Sequence, residues 1–360
     1  MIGIIGGILG SASAILFIHL IHSAQTLREN TPQLVFMLPV AGLLIRYLYL
    51  RFGTGIQEAP TLIISSYLTH LVGGSAGREG AIIHLARITS TATGKYFNFE
   101  ERKIKKLIIA SIGSGFGAAL GAPFAGFIFG FEVNRQPFFR FKTLLHSAIA
   151  AVVAQFIIRF SKVTHFALPS FQVPDFAINA FVFITMAGVV FGFTTVLYHQ
   201  FKKYYESRLA QHSPLFAGFI GGGTLFTLYC VFNLKNFQGL GEAGIIQAQL
   251  QTMPLSTAFH KLLLTVITLG SGFQGGEFFP LAFIGSSIGS SFGFINASYA
   301  QLASSIGFAA IYGAATKTPI ASIFLLAEIF GWKIIPYAAC AIFMADRIHN
   351  RLSFKSGQDS

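Results

Sequence analysis

Two acidic residues in this sequence stand where an acid is hardest to place. Glu79 lies in Gly77-Arg78-Glu79-Gly80, and Glu277 lies in Gly275-Gly276-Glu277-Phe278-Phe279-Pro280, each directly before an apolar run. Glycines free the backbone at such a break. A helix starting just after it leaves its first N–H groups unpaired and puts the positive end of its dipole there. That is a site for an anion. A glutamate beside it is a tethered anion, able to occupy the site and to leave when protonated or displaced. Pro280 suits a first helical turn, where its missing N–H is no loss. A plainer reading stands beside each: an ion pair of Glu79 with Arg78, and for Glu277 an acid that only complements a helix dipole.

The elements that must position these acids follow from composition. Of 360 residues, 53% are hydrophobic and 11% charged, with a mean hydropathy of +0.64. Soluble domains average about 25% charged residues. Thirteen acids and 25 bases cannot cover a soluble fold of this length, which excludes a soluble enzyme or a nucleic-acid-binding domain despite the net charge of +12. Basic excess here reads as cytoplasmic loop charge, as at 100–106, Arg135/Arg140/Lys142, Lys202/Lys203/Arg208 and Arg347/Arg351/Lys355. Apolar runs near spanning length cover 2–25, 33–50, 60–92, 104–134, 141–160, 177–200, 213–232, 240–271, 278–296 and 303–346. The glycine-rich breaks at 73–80 and 270–277, with Pro123 and Pro319 inside other runs, predict short or re-entrant helices. The apolar start at Met1 reads as a first span and not a cleaved signal. Cys230 and Cys340 lie in apolar segments, with no CxxC or HExxH, so neither a metal nor a cofactor is indicated.

An internal repeat sharpens the architecture. Ala118-Ala119, Pro123, Ala125 and Glu132 match Ala314-Ala315, Pro319, Ala321 and Glu328 at an offset of 196. Gly74, Gly77 and Glu79 match Gly272, Gly275 and Glu277 at an offset of 198. Interrupted hydrophobic segments at corresponding places in two halves point to a transport site between repeats. The acids sit in those interruptions. A carboxylate at membrane depth costs roughly 2.5–3.5 kcal/mol on insertion scales, and irregular backbone there must line a cavity or be buried in protein.

These residues also carry a resemblance. Gly53-Thr54-Gly55-Ile56, Gly77-Arg78-Glu79-Gly80 and Gly276-x-Phe278-x-Pro280 resemble the three anion-site signatures of the CLC family of anion channels and proton-coupled antiporters. Ala122-Pro123-Phe124-Ala125-Gly126 followed by Phe131-Glu132 is similar to that family's inner helix ending. The resemblance implies an all-α integral membrane protein, a CLC-like inverted-repeat bundle of tilted, broken and re-entrant helices. It implies one membrane transport domain over 1–360, with repeats near 33–160 and 213–346 and no soluble regulatory domain after residue 346. It further implies a homodimer in a bacterial inner membrane. Carried over by position, Glu79 is the protonatable gate. Gly77, Arg78 and Gly80, with Gly276, Glu277, Phe278, Phe279 and the hydroxyl of Thr54, form the anion site.

Departures from the family pattern narrow the reading. Ala81 follows the first motif where chloride members have Pro, Thr54 replaces Ser, and the inner proton-transfer glutamate falls on Val133. The central Tyr has no counterpart, the nearest C-terminal aromatic being Phe354. Thr69-His70-Leu71-x-Gly73-Gly74-Ser75 before the first motif and the acid at Glu277 resemble the fluoride-exporting branch. The expectation is fluoride/proton antiport, with Glu79 and Glu277 handling protons. The alternative is a CLC-type chloride channel or chloride/proton antiporter. A reading from another class, an intramembrane serine hydrolase built on Ser75 with His70, His84 or His260 as base, has no supporting spacing.

Overall fold

The computed structural model describes residues 1–136 and 141–355, leaving out Arg140 and the side chains of Ile56, Phe354 and Lys355. Fifteen α-helices form the described chain. The first half holds α1 (Ile2–Asn30), α2 (Leu38–Phe52), α3 (Glu58–Leu71), α4 (Glu79–Tyr96), α5 (Glu101–Leu120), α6 (Pro123–Val133) and α7 (Phe141–Phe160). The second holds α8 (Ile178–Leu209), α9 (Pro214–Val231), α10 (Glu242–Leu250), α11 (Leu255–Gly270), α12 (Phe278–Ser291), α13 (Ala297–Thr316), α14 (Pro319–Phe330) and α15 (Ile335–Lys355). Five helical stretches are long and apolar enough to cross a membrane, while α6, α11, α12 and α14 are shorter apolar pieces.

The two prolines inside apolar runs act as helix starts. Pro123 and Pro319 open α6 and α14. The helices before them end on left-handed residues 196 apart, Gly121 at φ 69° and Lys317 at φ 58°. The two short helices then clasp each other. Glu132, near the end of α6, accepts from the backbone N–H of Ile320 (3.0 Å) and Ala321 (2.7 Å) at the start of α14. Glu328, near the end of α14, accepts from Phe124 (3.0 Å) and Ala125 (2.8 Å) at the start of α6. Each carboxylate serves orphan donors and the positive dipole end of the other helix. Repeat-matched helices that cap one another tail to head run antiparallel, so the halves are inverted.

Two polar faces follow from the packing. Arg102, Lys105, Lys106, Gln136 and Lys142 surround one cleft, and Arg135, Lys202, Lys203 and Lys317 another, so the start of α5 and the ends of α6, α8 and α13 share one basic face. Gly3 and Gly7 of α1 pack against the first half of α7, which places Met1 at that face. The end of α1 lies at the opposite face, where Arg28 shares a cleft with Lys235 and the start of α10. From these faces α3–α4 and α11–α12 each run in to a break and back out. The sequence expectation of broken, re-entrant helices in an inverted repeat therefore holds.

Candidate functional site

The breaks before α4 and α12 meet in the middle of the bundle. Gly77 and Gly276 exchange both backbone hydrogen bonds, N–H to O at 2.6 Å in each direction, forming an isolated antiparallel bridge. Around it the bonds swap in matched pairs. Ser75 N–H donates to Thr268 Oγ1 (3.0 Å), and Gln274 N–H donates to Thr69 Oγ1 (3.1 Å). Gly73 and Gly272 take the turn at φ 94° and 87°, a region that suits glycine. The crossing leaves no room for a side chain, since a Cβ on Gly276 would lie 2.5 Å from the amide nitrogen of Gly80.

These pairs correct the register of the repeat. Gly73 matches Gly272, Thr69 matches Thr268, and the start of α4 at Glu79 matches the start of α12 at Phe278, an offset of 199 rather than 198. Glu277 therefore corresponds to Arg78, not to Glu79. Matching like letters paired two glutamates that the backbone sets one residue apart. The two acids face different partners as a result.

Glu79 is fully buried at the first position of α4. Its Oε1 lies 3.4 Å from Arg78 Nε, and neither carboxylate oxygen has a hydrogen-bond partner among the described residues. The plainer ion-pair reading is thus correct for the geometry observed, and it does not exhaust it. Arg78 is 5% exposed, its guanidinium stands 5.2 Å from the Phe279 ring, and it reaches Glu242 Oε1 at 3.7 Å. Beneath the break, buried His70 sets Nδ1 2.8 Å from Ser66 O and Nε2 3.1 Å from Ala76 O, pinning the residue before Gly77. Arg28 in turn donates to His70 O at 2.7 Å.

Glu277 is turned toward the basic face. It pairs closely with Lys202 of α8, with Tyr198 and His199 alongside. Lys202, read from sequence as loop charge, is in fact this acid's partner and lines a cleft of about 540 Å³ with Lys203, Lys317 and Arg135. Phe278 is caged by aromatic rings, edge-on to Tyr312 (centroids 4.9 Å), Phe308 (5.5 Å), Phe279 (5.7 Å) and Phe116 (5.8 Å). Tyr312 of α13 is buried and feels both the Glu79 and Glu277 carboxylates. Sequence reasoning missed it, because it sits in an unbroken apolar helix and only the fold brings it against Phe278 at the start of α12.

The site thus gathers Gly77, Arg78, Glu79, Gly80, Gly276, Glu277, Phe278 and Phe279. It does not gather Thr54. That residue lies in an exposed turn before α3 and has no hydrogen bond to the crossing. Glu132 and Glu328, readable from sequence as pore or interfacial charges, are the helix clasps described above. The hydrolase reading fails on geometry: Ser75 Oγ bonds Thr265 Oγ1 at 3.0 Å, and both nitrogens of His70 face carbonyl oxygens.

The model of the voltage gated chloride channel family matches residues 49–350. The chain belongs to that family. A chloride/fluoride channel protein of Pseudomonas syringae pv. tomato is 29% identical, over 94% of this chain and 81% of that protein. Among solved structures, a CLC-type fluoride/proton antiporter superposes with a TM-score of 0.89 at 27% identity, covering 97% of this chain and 94% of that one. A slow cyanobacterial Cl−/H+ antiporter shares the fold at a TM-score of 0.80 and 19% identity, covering 98% of this chain and 93% of that one. The chain is an integral membrane protein of a family of channels and transporters, and not an enzyme.

Proposed function

We propose that this protein is a fluoride/proton antiporter that exports fluoride from the cytoplasm, with Glu79 as its protonatable gate. The observation that carries this reading is the placement of two acids at opposed helix starts on one glycine crossing, each turned to a different face. Glu79 connects through Arg78 and Glu242 to the cleft at the end of α1. Glu277 connects through Lys202 to the basic cleft. Cytoplasmic loops carry the excess of Lys and Arg, so the face of Arg102, Lys105, Lys106, Arg135, Lys202, Lys203 and Lys317 is assigned to the cytoplasm. Met1 then lies inside, and Glu79 is reached from outside.

The division of labour follows. Helix-start amides of α4 and α12 supply N–H donors for a small anion, and a hard ion such as fluoride needs dense donors to replace its hydration. Glu79, held by its ion pair with Arg78 and by no side-chain hydrogen bond among the described residues, gives up the site when a proton neutralises it. Glu277 stays paired and sets the charge on the cytoplasmic side. Similarity to a protein described as a fluoride/proton antiporter supports the ion and the coupling. The family resemblance supports a homodimer with one pathway per subunit. The chloride alternative keeps the same site with a different ion.

The test is direct. In reconstituted vesicles, a fluoride gradient should drive proton movement in the opposite sense, and a chloride gradient of equal size should drive far less. Glu79→Gln should abolish the proton movement. Equal chloride-driven flux would transfer the chain to the chloride alternative. Proton coupling that survives Glu79→Gln would remove Glu79 from the role.

A further inference from the structure

A buried arginine needs a counter-charge in every state of a cycle. Arg78 is 5% exposed, and Glu79 and Glu242 are the two carboxylates ion-paired with it among the described residues, at 3.4 and 3.7 Å. Glu79 cannot serve throughout if it is the gate, since it loses its charge on protonation and its position on moving away. A buried charge stripped of its partner is strongly unfavourable. Every protonation of Glu79 would strand Arg78 unless a second acid stayed in place.

Glu242 is built to stay. It is the first residue of α10, and the preceding Gly241 holds φ 84° against Phe283 and Lys261, where a Cβ would come within 2.7 Å of the Phe283 ring. Its side chain is 32% exposed and lines the outward cleft of about 440 Å³ with Arg28, Gln25 and Lys235. Burial raises the Glu242 carboxyl from its ordinary value, but the side chain opens onto that cleft whereas Glu79 is sealed from it, so the charge on Glu242 is the less costly of the two to keep. The other charged or titratable groups around this pair are Arg28 and His22 of α1, His70 of α3, His165 after α7, Lys261 of α11 and Tyr312 of α13. Lys235 and Glu29 line the same cleft; Glu29 is a further acid, but it acts on Arg28 and forms no ion pair with Arg78 among the described residues.

We propose that Glu242 is the standing counter-ion of Arg78, a positioning residue that lets Glu79 take and release its proton without stranding a buried cation. This rests on the assignment of Glu79 as gate. It also defines what the first motif's arginine does, since Arg78 is shared between a mobile acid and a fixed one. An anion leaving toward the outside passes a guanidinium already neutralised, and so is not trapped by it.

The experiment is the pH profile of fluoride-driven proton flux in vesicles for the wild type, Glu242→Gln, Glu242→Asp and Glu79→Gln. In Glu242→Gln, Glu79 becomes the sole counter-charge of Arg78 and holds it harder. The pH of half-maximal flux should then fall by about one unit, with about a tenfold slower rate at neutral pH. Glu242→Asp should restore most of the rate and most of the profile. A Glu242→Gln profile that superimposes on the wild type would overturn the inference, as would an Asp variant as slow as the Gln variant with the wild-type pH dependence. Should Glu242→Gln fail to fold, a Glu242→Asp profile identical to the wild type's would overturn it, and a smaller shift in the same direction would support it. Glu79→Gln separates the two ideas. Coupling that persists in it defeats the gate, whereas an uncoupled Glu79→Gln beside an unaltered Glu242→Gln defeats only the counter-ion.

Discussion

At the scale of single residues, the site is a set of charges whose partners decide what each can do. Glu277 and Lys202 form the fixed pair, each with about a quarter of its side chain exposed. Removing one partner leaves the other desolvated. Lys202→Met should therefore lower stability by about 1–3 kcal/mol, short of the full-burial cost because solvent still reaches both groups. The double change Lys202→Met with Glu277→Gln should recover most of the loss, and thermal unfolding in detergent measures both. A double variant no more stable than the single one would show that the pair is not coupled. Glu79 was legible in the sequence because a glycine-flanked acid before an apolar run has few other uses. Glu242 and Tyr312 were not. One opens a short helix at the edge of an apolar run and the other lies within an apolar helix, and only the fold brings them to Arg78 and to the neighbourhood of the acids. Thr54 shows the reverse, a motif position that the structure leaves in an exposed turn.

At the scale of elements, the crossing of α4 and α12 depends on backbone approaching backbone. A methyl group on Gly276 would meet the Gly80 amide nitrogen at 2.5 Å, and no rotamer change can relieve a clash with backbone. Gly276→Ala should therefore part the Gly77–Gly276 bridge and displace both helix starts. The expected outcome is a loss of fluoride flux far larger than the loss of folded protein, read by flux against monodisperse yield. Full flux from Gly276→Ala would show that the crossing is not part of the pathway. The broken helices were legible because Gly and Pro clusters interrupt apolar runs, and Pro123 and Pro319 do start helices. The register was misjudged by one residue. Letter matching aligned Glu79 with Glu277, whereas the backbone aligns the positive-φ glycines 73 and 272 and the threonines behind them.

At the scale of the whole molecule, neither half is complete. The bridge, the threonine swap and the glutamate clasps all run between halves, while the connection from α7 to α8 (residues 161–177) passes over the outer face, with Lys333 holding Asp175 at 2.7 Å. A chain divided between Val163 and Thr164 and co-expressed as two pieces should reassemble and transport fluoride, while either piece alone should not. Co-purification through a tag on one piece checks this, and a transporting single piece would refute it. The inverted arrangement itself came from the family resemblance. The residues alone gave two matches and no sense of direction, because orientation appears only when the clasps are seen running tail to head. Those clasps also bear on synthesis. The amide groups that open α6 wait for Glu328, 204 residues further along. At about 5–20 residues per second, a ribosome needs roughly 10–40 s to deliver it. For that interval the nascent first half sits in the bilayer with an uncapped helix end, and lipid headgroups, water or an insertion chaperone must shield it until the second half arrives.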